Sequence, residues 1–162
     1  MHPIFDRLVS LLDSHAATYR LLMHDAEGQS ARVAQIRGTQ PGQGAKAMLC
    51  TLKGQAERYA LAVLPGDQKL DMKKLGAALG GKKAELVKAE TAMALTGCRI
   101  GAIPPFVFDE RIQLIVDPTL TSRYEDIAFN AGRLDASMVL ATRDYLAIAR
   151  PRLLDISLIG SS

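Results

Sequence analysis

The residues of this chain with the clearest chemical potential are one lysine and one stiff glycine-proline loop. Lys46 ends the Gly/Gln-rich run GQGAK just ahead of an apolar segment, and GAIPPF spans Gly101 to Phe106. In that loop Gly101, Ala102, Ile103 and Phe106 keep their N–H groups, whereas Pro104 and Pro105 donate nothing and stiffen the backbone. Such a loop can present a few fixed donors to a carbonyl or a phosphate. An ammonium beside fixed amide dipoles suits a substrate that carries negative charge or develops it during reaction. The same Gly-x-x-Pro-Pro pattern also turns a chain between two strands, so the residues alone leave both readings open.

Other chemistries find little support. GTQPGQGAK, Gly38 to Lys46, resembles a phosphate loop, but the G-x-x-x-x-G-K-[ST] spacing fails and Ala47 stands where a magnesium-binding hydroxyl is needed. His2, His15 and His24 are scattered without a metal-ligand pattern, so neither a metal nor a cofactor is expected. No Gly-x-Ser-x-Gly elbow is present. Cys50 sits in the apolar run AMLCTL and reads as a small buried hydrophobe, while Cys98 is a candidate thiol nucleophile with no histidine near it in sequence. Aromatics make up 5% of the chain and Trp is absent, which argues against a base-stacking platform of the RRM kind.

A net charge of +3 and a pI near 9.0 are compatible with a nucleic-acid partner without requiring one. Lys69, Lys73, Lys74, Lys82, Lys83 and Lys88 fall close together and form either a phosphate-facing patch or a solvated helix face. The N-terminus lacks a basic region followed by an apolar stretch, and no run approaches the roughly 20 apolar residues of a membrane helix. A cytoplasmic protein is expected, with neither membrane nor DNA as partner.

These residues must be positioned by an ordinary small core, and 162 residues at 48% hydrophobic content suit a single domain spanning 1–162. Ile4, Leu8, Leu11 and Leu12 predict an amphipathic helix over residues 3–17, followed by a strand at 19–24. Ser30 is the expected cap of a helix ending at Gly38. Two strands, AKAMLCTLK and ERYALAVLP, flank the Gly54 turn. A helix over 71–79, a strand at AELVKA and a helix from Glu90 to Leu95 come next. Strands follow at Val107-Phe108 and IQLIVD, then a strand pair around Gly132, and a helix from Thr142 to Ala149 stopped by Pro151. Strands and helices alternate irregularly, which predicts an α/β domain of the α+β type: a mixed, curved, barrel-like sheet with surrounding helices.

Lys46, GAIPPF and the later FNAGRLDAS run, in this order and spacing, resemble the YbaK/ProX family, the free-standing relatives of the editing domain of bacterial prolyl-tRNA synthetase. The runs IRGTQPGQGAKA and TGCRIGAIPPF look most like its YeaK branch. The resemblance covers nearly the whole chain and implies hydrolysis of the ester that joins a wrong, small amino acid (serine, threonine or alanine) to the 3′ end of a tRNA. By the same resemblance Lys46 matches the family lysine and anchors the substrate. Gly101 and Ala102 hold the ester oxygen through their amides, together with Ile103. Pro104 and Pro105 complete the loop, and Gly132 matches the late glycine. His24 falls where many members have histidine, with a structural role as its first reading, and Asn130 stands where some relatives have serine. The implied partners are the acceptor end of an aminoacyl-tRNA and an aminoacyl-tRNA synthetase. An activated ester needs no strong nucleophile, which accounts for the missing triad. A non-catalytic module that binds an aminoacyl-tRNA or a synthetase remains the alternative, since no conventional base is evident.

Overall fold

The computed structural model describes residues 3–158; His2 and the chain ends lie outside them. Its elements run α1 (Pro3–Ser14), β1 (Tyr19–Met23), α2 (Ser30–Arg37), a 3-10 turn (Pro41–Gln43), β2 (Ala45–Leu52), β3 (Gln55–Pro65), α3 (Met72–Ala78), β4 (Ala84–Leu86) and α4 (Ala89–Thr96). Then follow β5 (Ile112–Val116), α5 (Pro118–Arg123), β6 (Asp126–Arg133), β7 (Ala136–Ala141), α6 (Thr142–Ala149) and β8 (Arg152–Leu153).

The strands divide between two sheets. The larger is mixed, ordered β4-β2-β3-β5-β8, with β3 antiparallel to β2 and parallel to β5; the smaller is antiparallel, ordered β1-β7-β6. Strand β3 shows why the larger sheet is central. Its run Ala60–Leu64 is uninterrupted by polar residues because both faces are covered. Leu61 and Val63 point into one hydrophobic cluster with Leu49, Val116, Phe129 and Tyr145, while Ala60 and Ala62 point into another with Cys50, Leu75 and Ile115. A parallel bridge from Gly44 to Ala128 joins the two sheets. Among the described residues no helix is long and apolar enough to cross a membrane.

Several elements differ from expectation for identifiable reasons. Helix α1 stops at Ser14 because Ala16 adopts a left-handed φ of 52° and the Ala17 amide returns to the Leu12 carbonyl. Gln29, not Ser30, is the residue before α2, and Ser30 makes no side-chain cap. AELVKA forms only the short β4, since the Lys88 backbone already opens α4. Val107 and Phe108 form no strand; they stay in the loop, half-buried, where the Arg7 guanidinium lies 4.7 Å above the Phe108 ring. Gly132 is not the turn of its hairpin but a bulge within β6, with φ of 83° and a register shift between Asn130 and Arg133.

Candidate active site

Where the two sheets meet, a cleft of about 220 Å³ gathers Lys46 from β2, Arg37 from the end of α2, Gly101 and Ile103 from the loop, and Asn130 from β6. The bridge between Gly44 and Ala128 brings the start of β2 against β6, which is why Lys46 and Asn130 share this space. The half-buried Lys46 donates from Nζ to the Gln68 carbonyl. Burial lowers its pKa and the nearby Lys69 adds to that, while Asp67 opposes it.

Arg37 is the second cation. Its Nε donates to Ser137 Oγ at 2.9 Å and a terminal nitrogen donates to Asn130 Oδ1 at 3.0 Å. Both partners are neutral, and among the described residues no carboxylate pairs with it. Burial lowers its pKa to about 10, so it remains a cation at neutral pH. A guanidinium without an acid partner, lining a cleft, leaves a charge for an anionic ligand to meet.

Behind Arg37, Ser137 is fully buried and lies 2.7 Å from His24 Nε2. The other ring nitrogen faces the Asp25 carbonyl at 2.7 Å, which can only accept, so Nδ1 carries a proton, while the Ser137 hydroxyl donates to Asn130 Oδ1 at 3.1 Å. His24 therefore braces Ser137, which braces Arg37.

The Gly101–Phe106 loop hangs from the core at several points. The Asn130 amide nitrogen donates to the Gly101 carbonyl (2.8 Å), the Gly132 amide to the Ala102 carbonyl (2.9 Å), and the Tyr145 hydroxyl to the Pro105 carbonyl (2.7 Å). Phe106 packs edge-on against Phe129 and Tyr145, with centroids 5.9 and 5.2 Å away. Each such pair contributes roughly 0.5–1.5 kcal/mol beyond its buried area. Gly101 itself has φ of 90°, a conformation that suits glycine. The Ala102 amide is already spent on the Arg99 carbonyl at 2.9 Å, while among the described residues the amides of Gly101 and Ile103 donate to no protein acceptor.

A family model for the aminoacyl-tRNA editing domain matches residues 24–148. The chain belongs to the aminoacyl-tRNA editing domain family. It is 45% identical over 150 residues to the multifunctional Ser/Thr-tRNA deacylase ProXp-y of Escherichia coli strain K12, covering 92% of this chain and 90% of that one. Identity is 27% over 125 residues with an Enterococcus faecalis protein, EbsC, described as a candidate Cys-tRNA(Pro)/Cys-tRNA(Cys) deacylase, covering 77% and 74% of the two chains. A crystal structure described as a candidate trans-editing enzyme for prolyl tRNA synthetase shares the fold, with a TM-score of 0.80 at 21% identity over 98% of this chain and 99% of that one.

In this editing domain the cleft brings together Lys46, Gly101, Ile103 and Asn130 from the expected set. Ala102, Pro104 and Pro105 are buried behind it, and Gly132 supports the loop from β6. His24 stands behind Ser137, outside the lining. Cys98 is 2% exposed, and burial raises its thiol pKa against the weaker pull of Thr96; it lies outside this cleft, so the thiol-enzyme reading gains no support from it. Arg37 and Ser137 are the residues that sequence reasoning missed. A run such as IRG reads as a basic last turn before a glycine cap, and only the fold carries that arginine into the cleft.

Proposed function

We propose that this protein is a free-standing trans-editing deacylase, one editing domain over its length, which hydrolyses the ester of tRNA mischarged with a small amino acid such as serine, threonine or alanine. The observation that carries the reading is the cleft itself: two cations, Lys46 and Arg37, face the same space as the two free loop amides. In this reading the cations hold the phosphodiester of the acceptor end and set the ester against the loop. The Gly101 and Ile103 amides receive the carbonyl oxygen as it becomes an oxyanion, each such donor lowering the barrier by roughly 3 kcal/mol. Water attacks the carbonyl carbon with help from a hydroxyl of the terminal ribose, the acyl–oxygen bond breaks, and the ribose oxygen leaves with a proton. The amino acid and an uncharged tRNA are released. The 45% identity to a Ser/Thr-tRNA deacylase supports the choice of substrate, and the cytoplasm, where charged tRNA and synthetases meet, is the place of action.

The test is a panel of mischarged tRNAs incubated with purified protein. Seryl- and threonyl-tRNA are expected to lose their amino acid well above the buffer rate, and Lys46→Ala to slow that loss about a hundredfold while leaving the thermal transition in place. Tight binding of an uncleavable aminoacyl-adenosine analogue with no ester turnover on any tRNA would instead identify a non-catalytic binding module.

A further inference from the structure

Lys46 is aimed by a carbonyl, and that carbonyl belongs to a residue whose side chain is locked elsewhere. Asp117 is 1% exposed and among the described residues has no cationic partner; it accepts from the Thr119 amide (2.9 Å) and hydroxyl (2.6 Å), the Ile156 amide (3.0 Å) and the Ser157 hydroxyl (2.8 Å). Burial raises its carboxyl pKa, but these hydrogen bonds outweigh that and hold it below the ordinary value, so it is ionised. An ionised carboxylate only accepts, and each hydroxyl has one proton, so both protons point at Asp117.

The same two hydroxyl oxygens lie 3.1 Å and 2.6 Å from Gln68 Oε1, an amide end that a half-turn of the side chain exchanges with Nε2. With their protons committed, they can only accept from it. The Gln68 side chain therefore presents its NH2 group to them, one hydrogen to each. Its backbone then has little freedom: the Gln68 amide turns back to the Pro65 carbonyl at 3.0 Å, and its own carbonyl receives Lys46. The segment that supplies Ser157 is itself laid along the neighbouring turn, with Asp71 N donating to the Ile156 carbonyl (2.7 Å) and Leu158 N to the Lys69 carbonyl (2.9 Å).

We propose that Gln68 is a positioning residue for Lys46, held by a buried Asp117–Thr119–Ser157 cluster that fixes the carbonyl steering the ammonium into the cleft. This rests on Lys46 as the substrate-anchoring cation, and two separate readouts on the full chain test it. The first needs no turnover: acylation of lysines by a succinimidyl ester, followed by peptide mass spectrometry. In Gln68→Ala the modification rate of Lys46 is expected to change about threefold or more, while Lys82 and Lys88, exposed on the surface, keep their wild-type rates. An unchanged Lys46 rate overturns the proposal. The second is a double-mutant cycle in deacylation. Gln68→Ala alone should lower kcat/KM about tenfold, and in the Lys46→Ala background it should lower it no further. Additive losses would mean a general structural role and overturn it. Gln68→Glu, which replaces the donor by an acceptor, should be worse than Gln68→Ala; equal or milder loss contradicts the assigned amide orientation. Should Gln68→Ala fail to fold, Ser157→Ala carries the same two readouts. If the wild type cleaves no charged tRNA, the deacylase reading falls and the acylation rates still decide whether Gln68 aims Lys46.

Discussion

Lys46 is a desolvated ammonium, and that has a consequence for how rate depends on pH. Its folded pKa is depressed, so the charged form is lost at a lower pH than in an exposed lysine. A reaction needing the cation should therefore run at full rate below that folded pKa and decline as pH rises through it. In a kcat/KM profile the alkaline limb is expected earlier than an exposed lysine would give, and Lys46→Arg should move it out of range. An unshifted limb in the arginine variant would assign it to another group. That Lys46 and Asn130 line one cleft could be anticipated because each sits in a run that resembles the family. That Arg37 joins them could not, because an arginine before a C-terminal glycine is explained by its own helix, and its contacts with Asn130 and Ser137 span 93 and 100 residues.

At the level of elements, strand β6 is the part on which the loop depends. Its bulge at Gly132 turns the amide to the Ala102 carbonyl and leaves α1 close above, where a Cβ would lie 3.1 Å from Ile4 Cγ2 and 3.2 Å from the Phe5 nitrogen. Gly132→Ala meets both that crowding and a φ of 83°, and is expected to cost about 1–3 kcal/mol. In urea unfolding the midpoint should fall with the slope unchanged, and deacylation should drop although residue 132 does not line the cleft. The late glycine was visible in the sequence, but its place as a bulge was not, since a glycine between two strand-like runs also reads as a turn. Helix α5 shows the reverse case: Asp117-Pro118 carries a cap and a first-turn proline, and Asp117 accepts from Thr119 N, yet six residues are too few to show a helical period. Val107 and Phe108 look like strand residues because burial selects the same types in a packed loop as in a sheet.

Across the whole molecule, the α/β class followed from irregularly alternating elements, while the split into two sheets did not, because pairing between distant strands leaves no local mark. The placement of two cations in one cleft also sets how the protein should respond to salt. Neutralising a phosphate of a single-stranded end contributes a slope of about −0.7 per contact to the logarithm of affinity against that of salt concentration. Removing Lys46 should make the salt dependence of kcat/KM shallower by about that amount, and an unchanged slope would separate Lys46 from the phosphate. Time enters through the order in which the fastenings appear along the chain. The Pro105 carbonyl is held by Tyr145, and Gln68 by Ser157, so residues from the first two thirds of the sequence take their final positions only when the last ones arrive. During synthesis the nascent protein carries its lysine and its loop long before either is fixed. A nascent chain that has not yet reached Tyr145 and Ser157 thus has neither the loop nor the lysine held in its final place.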